Sequence, residues 1–206
     1  MRPHDFDRGV ALPAGLTVAA VSKAADYIER SLADLTDIYF DQANLFSGLV
    51  GGFGARALDS HSVYEKHRHR DTAAQRFPDL RRRGSPDPPA PRDSLESKAS
   101  IRAWQLQAHY DHAGWYVVWR YLVDPTETYE PGRPVIVWRI DIAFLEQSDW
   151  KYEGSGASSA GGGRTETFGL IKPAARLKGC AVYARSDVVL RGGKPVPANG
   201  DRRPPP

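Results

Sequence analysis

The stretch Ser94–Ser100, SLESKAS, sets an acid and a base two positions apart in a segment short enough for one strand. Side chains alternate between the faces of a strand, so Glu96, Lys98 and Ser100 project together while Leu95, Ser97 and Ala99 project the other way. On a solvated edge strand such a pair would be an ordinary ion pair, worth about 0.2–1 kcal/mol. The neighbouring sequence decides between that reading and a functional one. Upstream come a basic segment, then Phe77-Pro78-Asp79-Leu80, then the proline-rich turn region RRRGSPDPPAPRD at 81–93. A turn of that composition allows a hairpin return, so that Asp79 and Glu96 can converge.

N-terminal to this region, Val18, Val21, Ala25, Ile28, Leu32, Leu35 and Ile38 recur at steps of three and four. The spacing predicts an amphipathic helix from about Thr17 to about Tyr39, with Lys23, Asp26, Glu29 and Arg30 on its polar face. A second series, Leu45, Leu49, Phe53 and Ala57, is interrupted by Gly48, Gly51, Gly52 and Gly54, which predicts a short helix or turn packed closely against another element. The GGFG run lacks the Gly-Lys-Ser/Thr and the preceding strand of a P-loop. Beyond SLESKAS, a helix is expected over Arg102–Ala113, ended by Gly114. WYVVWRYLV at 115–123 and PVIVWRIDIAFL at 134–145 read as neighbouring strands, and AVYARSDVV at 181–189 as one more. GSGASSAGGGR at 154–164 is flexible by composition.

The 206 residues, 41% hydrophobic and 26% charged, suit one sizeable core. We expect a single domain over 1–190, with a helical part at about 12–60 and a core at about 61–190, followed by a loose Pro/Gly-rich tail at 191–206. The single cysteine, Cys180, excludes an internal disulfide and a cysteine-rich zinc site. With no apolar run of membrane-spanning length and no signal-peptide core, a cytoplasmic protein without a membrane partner is expected. The net charge of +3 says little, but its distribution says more. Residues 1–54 hold 4 basic and 7 acidic side chains, whereas residues 55–103 hold 11 and 7, so positive charge gathers around the quoted stretch.

FPDL, a spacer and SLESKAS together spell Pro-Asp, a gap, then Glu-x-Lys with apolar residues beside the acids. This pattern resembles the PD-(D/E)xK nuclease superfamily, the fold of many type II restriction endonucleases, over roughly residues 75–145. The resemblance implies an α/β, restriction-endonuclease-like core with a central mixed β-sheet flanked by helices. It also implies a Mg²⁺-dependent endonuclease, in which Mn²⁺ can substitute, acting on double-stranded DNA, most simply a type II restriction enzyme working as a homodimer. By resemblance, Asp79 and Glu96 bind the metal, the backbone carbonyl of Ser97 is a further ligand, and Lys98 positions the attacking water or helps deprotonate it. Pro86-Asp87 also spells Pro-Asp and Asp93 lies close, but Asp87 sits among too many prolines for a strand, which favours Asp79.

The chemistry asks for such groups on its own account. Phosphodiester hydrolysis needs an activated water, neutralised charge and a stabilised leaving oxygen, and a hard divalent cation held by two carboxylates serves all three. Glu29, Ser100 and Gln107 are candidate auxiliary residues. Arg68, Arg70, Arg76, Arg81, Arg82, Arg83, Lys151 and Arg164 are candidate DNA contacts, able to neutralise phosphates or, for Arg164, to reach a guanine edge. Arg120 and Arg139, alternating with the strand tryptophans, are candidates for a DNA-facing side. His109, Asp111 and His112 invite a second metal reading without a completing cluster. The alternatives are a DNA-repair or phage structure-specific nuclease of the same fold, and a non-catalytic nucleic-acid-binding module in which the Glu/Lys pair is incidental.

Overall fold

A computed structural model describes residues 1–68, 77–157 and 164–198; the side chains of Ala157, Arg164 and Thr165 lie outside that description. The N-terminal periodicity yields two helices, α1 (Val18–Leu32) and α2 (Thr36–Asp41), rather than one. Thr17 caps α1 by accepting the Ala20 N–H, and a 3₁₀ turn over Ala33–Leu35 tightens the chain between the helices. The turn redirects the axis while Leu35 and Ile38 stay packed on the core, so the apolar spacing holds across a break in the helix.

The glycine-interrupted series forms the 19-residue helix α3 (Ala43–His61), longer than expected. Glycine inside a helix costs roughly 0.5–1 kcal/mol relative to alanine, and packing explains two of these. A Cβ on Gly51 would stand 3.2 Å from the Ser97 carbonyl oxygen, and one on Gly54 would fall on the indole of Trp119. Close approach of α3 to the sheet therefore requires both. For Gly54→Ala, overpacking of about 1–3 kcal/mol is expected to outweigh the gain in helix propensity, and urea unfolding should show a net loss of stability.

The central sheet comprises β1 (Tyr64–Lys66), β2 (Leu80–Arg82), β3 (Ser94–Ser100), β5 (Gly114–Val123), β6 (Val135–Leu145) and β9 (Ala181–Ala184), in that spatial order. Only the β3–β5 pairing is parallel, so the sheet is mixed. Val117, Trp119, Tyr121, Val137 and Ile140 face α1 and α3, while Tyr116, Val118, Ala143 and Leu145 face the opposite side. A bulge at Trp138 shifts the β6 alternation by one residue, which is why Val137 and Ile140 share a face.

The second face is covered by a three-stranded sheet, β4 (Gln107–Ala108), β8 (Arg164–Leu170) and β7 (Trp150–Ala157), and by the short α4 (Pro173–Arg176) with Leu177. The Gly-rich segment thus joins two paired strands, its centre, 158–163, lying outside the described residues. The region expected as one strand at 181–189 divides between β9 and β10 (Val188–Arg191). β10 pairs with β11 (Lys194–Pro197) through Gly192 and Gly193, at φ of 58° and 78°. A two-residue turn with both φ positive suits adjacent glycines, so the chain expected to be loose from 191 is ordered as a hairpin through Pro197.

The helix expected over Arg102–Ala113 is absent. Arg120, fully buried on β5, donates from Nη1 to the carbonyls of Arg102 at 3.0 Å and Gln105 at 2.5 Å. Those carbonyls, which a helix would commit to its own ladder, bind a side chain instead, and residues 101–106 run as an irregular wall between the parallel strands. Arg120 and Arg139, candidates for a DNA-facing surface, both bind Asp141, at 2.9 and 2.6 Å. Arg139 also stacks 4.2 Å above the Trp104 ring, so this pair is internal structure. Among the described residues, no helix is long and apolar enough to cross a membrane.

Candidate active site

Where β2 ends, β3 loses its backbone partner: the ladder runs through Leu80↔Leu95 and Arg81↔Ser94 and stops. Asp79 continues it with its side chain. The Ser97 N–H donates to Asp79 Oδ2 at 3.0 Å, and the Asp79 N–H donates to Glu96 Oε2 at 2.9 Å. Each acid is therefore fixed by the backbone of the other's strand, and the two carboxylates converge as the sequence suggests. Lys98 Nζ donates to Glu96 Oε1 at 2.6 Å, and Lys66 Nζ lies 3.5 Å from Asp79 Oδ1. The competitors go elsewhere: Asp87 meets His67 and Asp93 meets Arg82.

These groups line a cleft of 710 Å³ between α3, β3 and residues 101–110. Glu96 is 8% exposed and Lys98 22%, far below a solvated surface pair. Burial pushes the Glu96 carboxyl upward, and Asp79 adds to this while Lys98 opposes it. Burial alone would lower Lys98, but the Glu96 and Asp79 carboxylates outweigh it and hold the ammonium above the ordinary lysine range. Lys98 is thereby a fixed cation, suited to bind a phosphate oxygen or orient a water.

Ser97 anchors the strand from behind. Its Oγ donates to the Gly51 carbonyl at 2.7 Å and accepts from Trp119 Nε1 at 2.9 Å, tying β3, β5 and α3 together under the acids. In a strand a residue's carbonyl points to the same edge as its N–H, and the Ser97 N–H points to Asp79. The oxygen set Asp79, Glu96 and Ser97 C=O fits a hard divalent cation that keeps waters and takes a phosphate oxygen. Among the described residues, no group of three or more His, Cys, Asp or Glu side chains forms a metal-binding cluster, so the two carboxylates and the carbonyl would have to suffice.

Other candidates fall in different places. Ser100 and Gln107 line the cleft, Gln107 donating to Glu153 at 3.0 Å and Ser100 Oγ accepting from the Arg102 N–H. Arg81 and Arg83 bind Glu65, Arg83 also binds Asp59, and Arg82 binds Asp93, so this trio serves β1–β2 structure outside the cleft. Arg68 is exposed, and Lys151 pairs with Glu153 at 3.4 Å. Arg70, Arg76 and the Arg164 side chain lie outside the described residues. His109, Asp111 and His112 diverge, to the Glu166 carbonyl, to Gln147 and to a stack with Tyr110 and Phe77.

Glu29 is no part of this cleft. It is buried against β6, accepting the Val137 N–H at 2.9 Å and binding Arg133 at 2.6 Å. Burial raises its pKa despite these partners. A raised folded-state pKa contributes stability below the unfolded value that is lost as pH rises through the folded value. Wild type is therefore expected to lose stability relative to Glu29→Gln as pH rises out of the ordinary carboxylate range, measured by urea unfolding across pH.

Residues that pattern reading misses are the Trp119–Ser97–Gly51 chain, and Arg102 and Tyr110 in the cleft wall. Comparison of the chain with protein-family models, with curated proteins and with solved structures finds no match.

Proposed function

We propose that this chain is a Mg²⁺-dependent endonuclease that hydrolyses phosphodiester bonds in double-stranded DNA, built on a restriction-endonuclease-like core. The observation that carries the reading is the reciprocal lock of Asp79 and Glu96, with Lys98 beside them in one cleft. A solvated ion pair needs no such backbone support, whereas a metal site does, because both carboxylates must be held at ligand distance before the cation arrives. Lys98 placed over Glu96 matches a site that takes a cation and a phosphate together.

Bound Mg²⁺ would be held by Asp79, Glu96 and the Ser97 carbonyl, and supplies charge neutralisation and a lowered water pKa. Lys98, kept protonated, holds a phosphate oxygen and orients the attacking water toward phosphorus. Lys66, at the outer side of Asp79, adds positive charge where the phosphate enters. Action as a homodimer of the type II restriction kind follows from the two-fold symmetry of a duplex site, since two copies cut both strands.

The test is incubation of supercoiled and linear DNA with purified protein in Mg²⁺, in Mn²⁺ and in EDTA. Discrete fragments that require metal are expected, and their ends report the sequence cut. Intact DNA despite tight binding would instead favour the non-catalytic module, and cutting confined to branched or damaged substrates the structure-specific nuclease.

A further inference from the structure

A second cleft, of 980 Å³, opens on the other side of residues 101–107. Its rim includes Lys151 on β7 and Lys194 at the tip of the β10–β11 hairpin, against one carboxylate, Glu153. The two clefts share Ile101, Arg102, Gln105 and Gln107, so these residues form the ridge where the clefts meet. Arg102 supplies the cation of that ridge, with an exposed side chain. A DNA strand whose scissile phosphate lies at Glu96 and Lys98 must leave the first cleft, and the ridge bounds that cleft on the side of the second.

The ridge is held from below. Arg120 binds the Arg102 and Gln105 carbonyls through Nη1 and Asp141 through Nε, while its buried Nη2 has no hydrogen-bond partner among the described residues. Arg120 and Asp141 have no exposed side-chain surface. Buried ion pairs are commonly replaceable by apolar residues without loss of stability, so stability alone does not account for this one. Its geometric product is a fixed main chain at Arg102.

We propose that Arg102 grips a backbone phosphate of DNA where the two clefts meet, and that Arg120, through Asp141, is the positioning residue that holds it there. This rests on the nuclease reading of the first cleft. Binding of a fluorescein-labelled duplex in Ca²⁺, titrated across salt, tests it. Arg102→Ala is expected to weaken affinity about 10-fold and to lower the slope of log K against log salt by about one. The paired variant Arg120→Met/Asp141→Leu is expected to show a similar loss, and adding Arg102→Ala to it should cost nothing further, because both changes remove one contact. Arg120→Lys, which keeps charge beside Asp141 but loses the guanidinium fork, should show part of that loss even if the paired variant fails to fold.

Wild-type affinity and salt slope in Arg102→Ala would overturn the phosphate contact. Full additivity of the paired variant with Arg102→Ala, or wild-type binding by Arg120→Lys, would overturn the positioning role. Failure of the nuclease reading is seen separately: the binding losses without metal-dependent cutting by wild type support the Arg102 contact and sink the catalysis. Absence of any DNA binding by wild type overturns both.

Discussion

Glu96→Gln is expected to slow single-turnover DNA cleavage by about 10³-fold or more, while the protein stays folded and binds DNA at least as well as wild type. Glutamine keeps an oxygen to accept the Asp79 N–H, so the β2–β3 junction survives. What disappears is the anionic ligand and the partner of Lys98. Removing a negative charge from a cleft proposed to bind phosphate reduces repulsion, so affinity measured without turnover should hold or rise. Cleavage, anisotropy and thermal melting on one preparation separate these effects. A wild-type cleavage rate would remove Glu96 from the chemistry and leave it a buried structural ion pair.

Asp141→Leu carries the largest expected effect on stability. Arg120 would remain fully buried with its one carboxylate partner gone and Arg139 beside it, and removing one member of such a pair typically costs about 3–5 kcal/mol. Arg120→Met/Asp141→Leu removes the stranded charge and should recover most of that loss, since the remaining Arg139 is partly exposed over Trp104. Denaturant unfolding of the three proteins decides the matter. Equal destabilisation in the single and paired variants would show that losing the carbonyl contacts of Arg120 costs as much as stranding its charge.

The candidate site is largely legible in the sequence because it is local. Alternation along one strand orients Glu96 and Lys98, and a proline-rich turn returns Asp79 to them, Asp79 and Lys98 standing only 19 residues apart. What escapes such reading depends on distant partners. The helical pattern of Arg102–Ala113 gives way because Arg120 takes carbonyls 18 and 15 residues upstream. Glu29 fits a helix's polar face, yet it binds a backbone N–H 108 residues on, which no periodicity encodes. The glycines of α3 count against a long helix until Trp119 and the Ser97 carbonyl are seen to need the space. Arg81, Arg82 and Arg83 form a charge run whose carboxylates, Glu65, Asp59 and Asp93, lie scattered on both sides of it.

The pairing of β2 with β3 through two residue pairs and one side chain makes assembly of this site an all-or-none event. A slip of one residue in β2 would turn Asp79 to the opposite face while the six-pair β3–β5 ladder keeps Glu96 and Lys98 in place, so the two carboxylates would no longer converge. Damage to the short strand β2 should therefore divide the population: some molecules turn over at the full rate and the rest not at all. A titration of competent molecules would register the loss, while the rate constant of each survivor stayed unchanged.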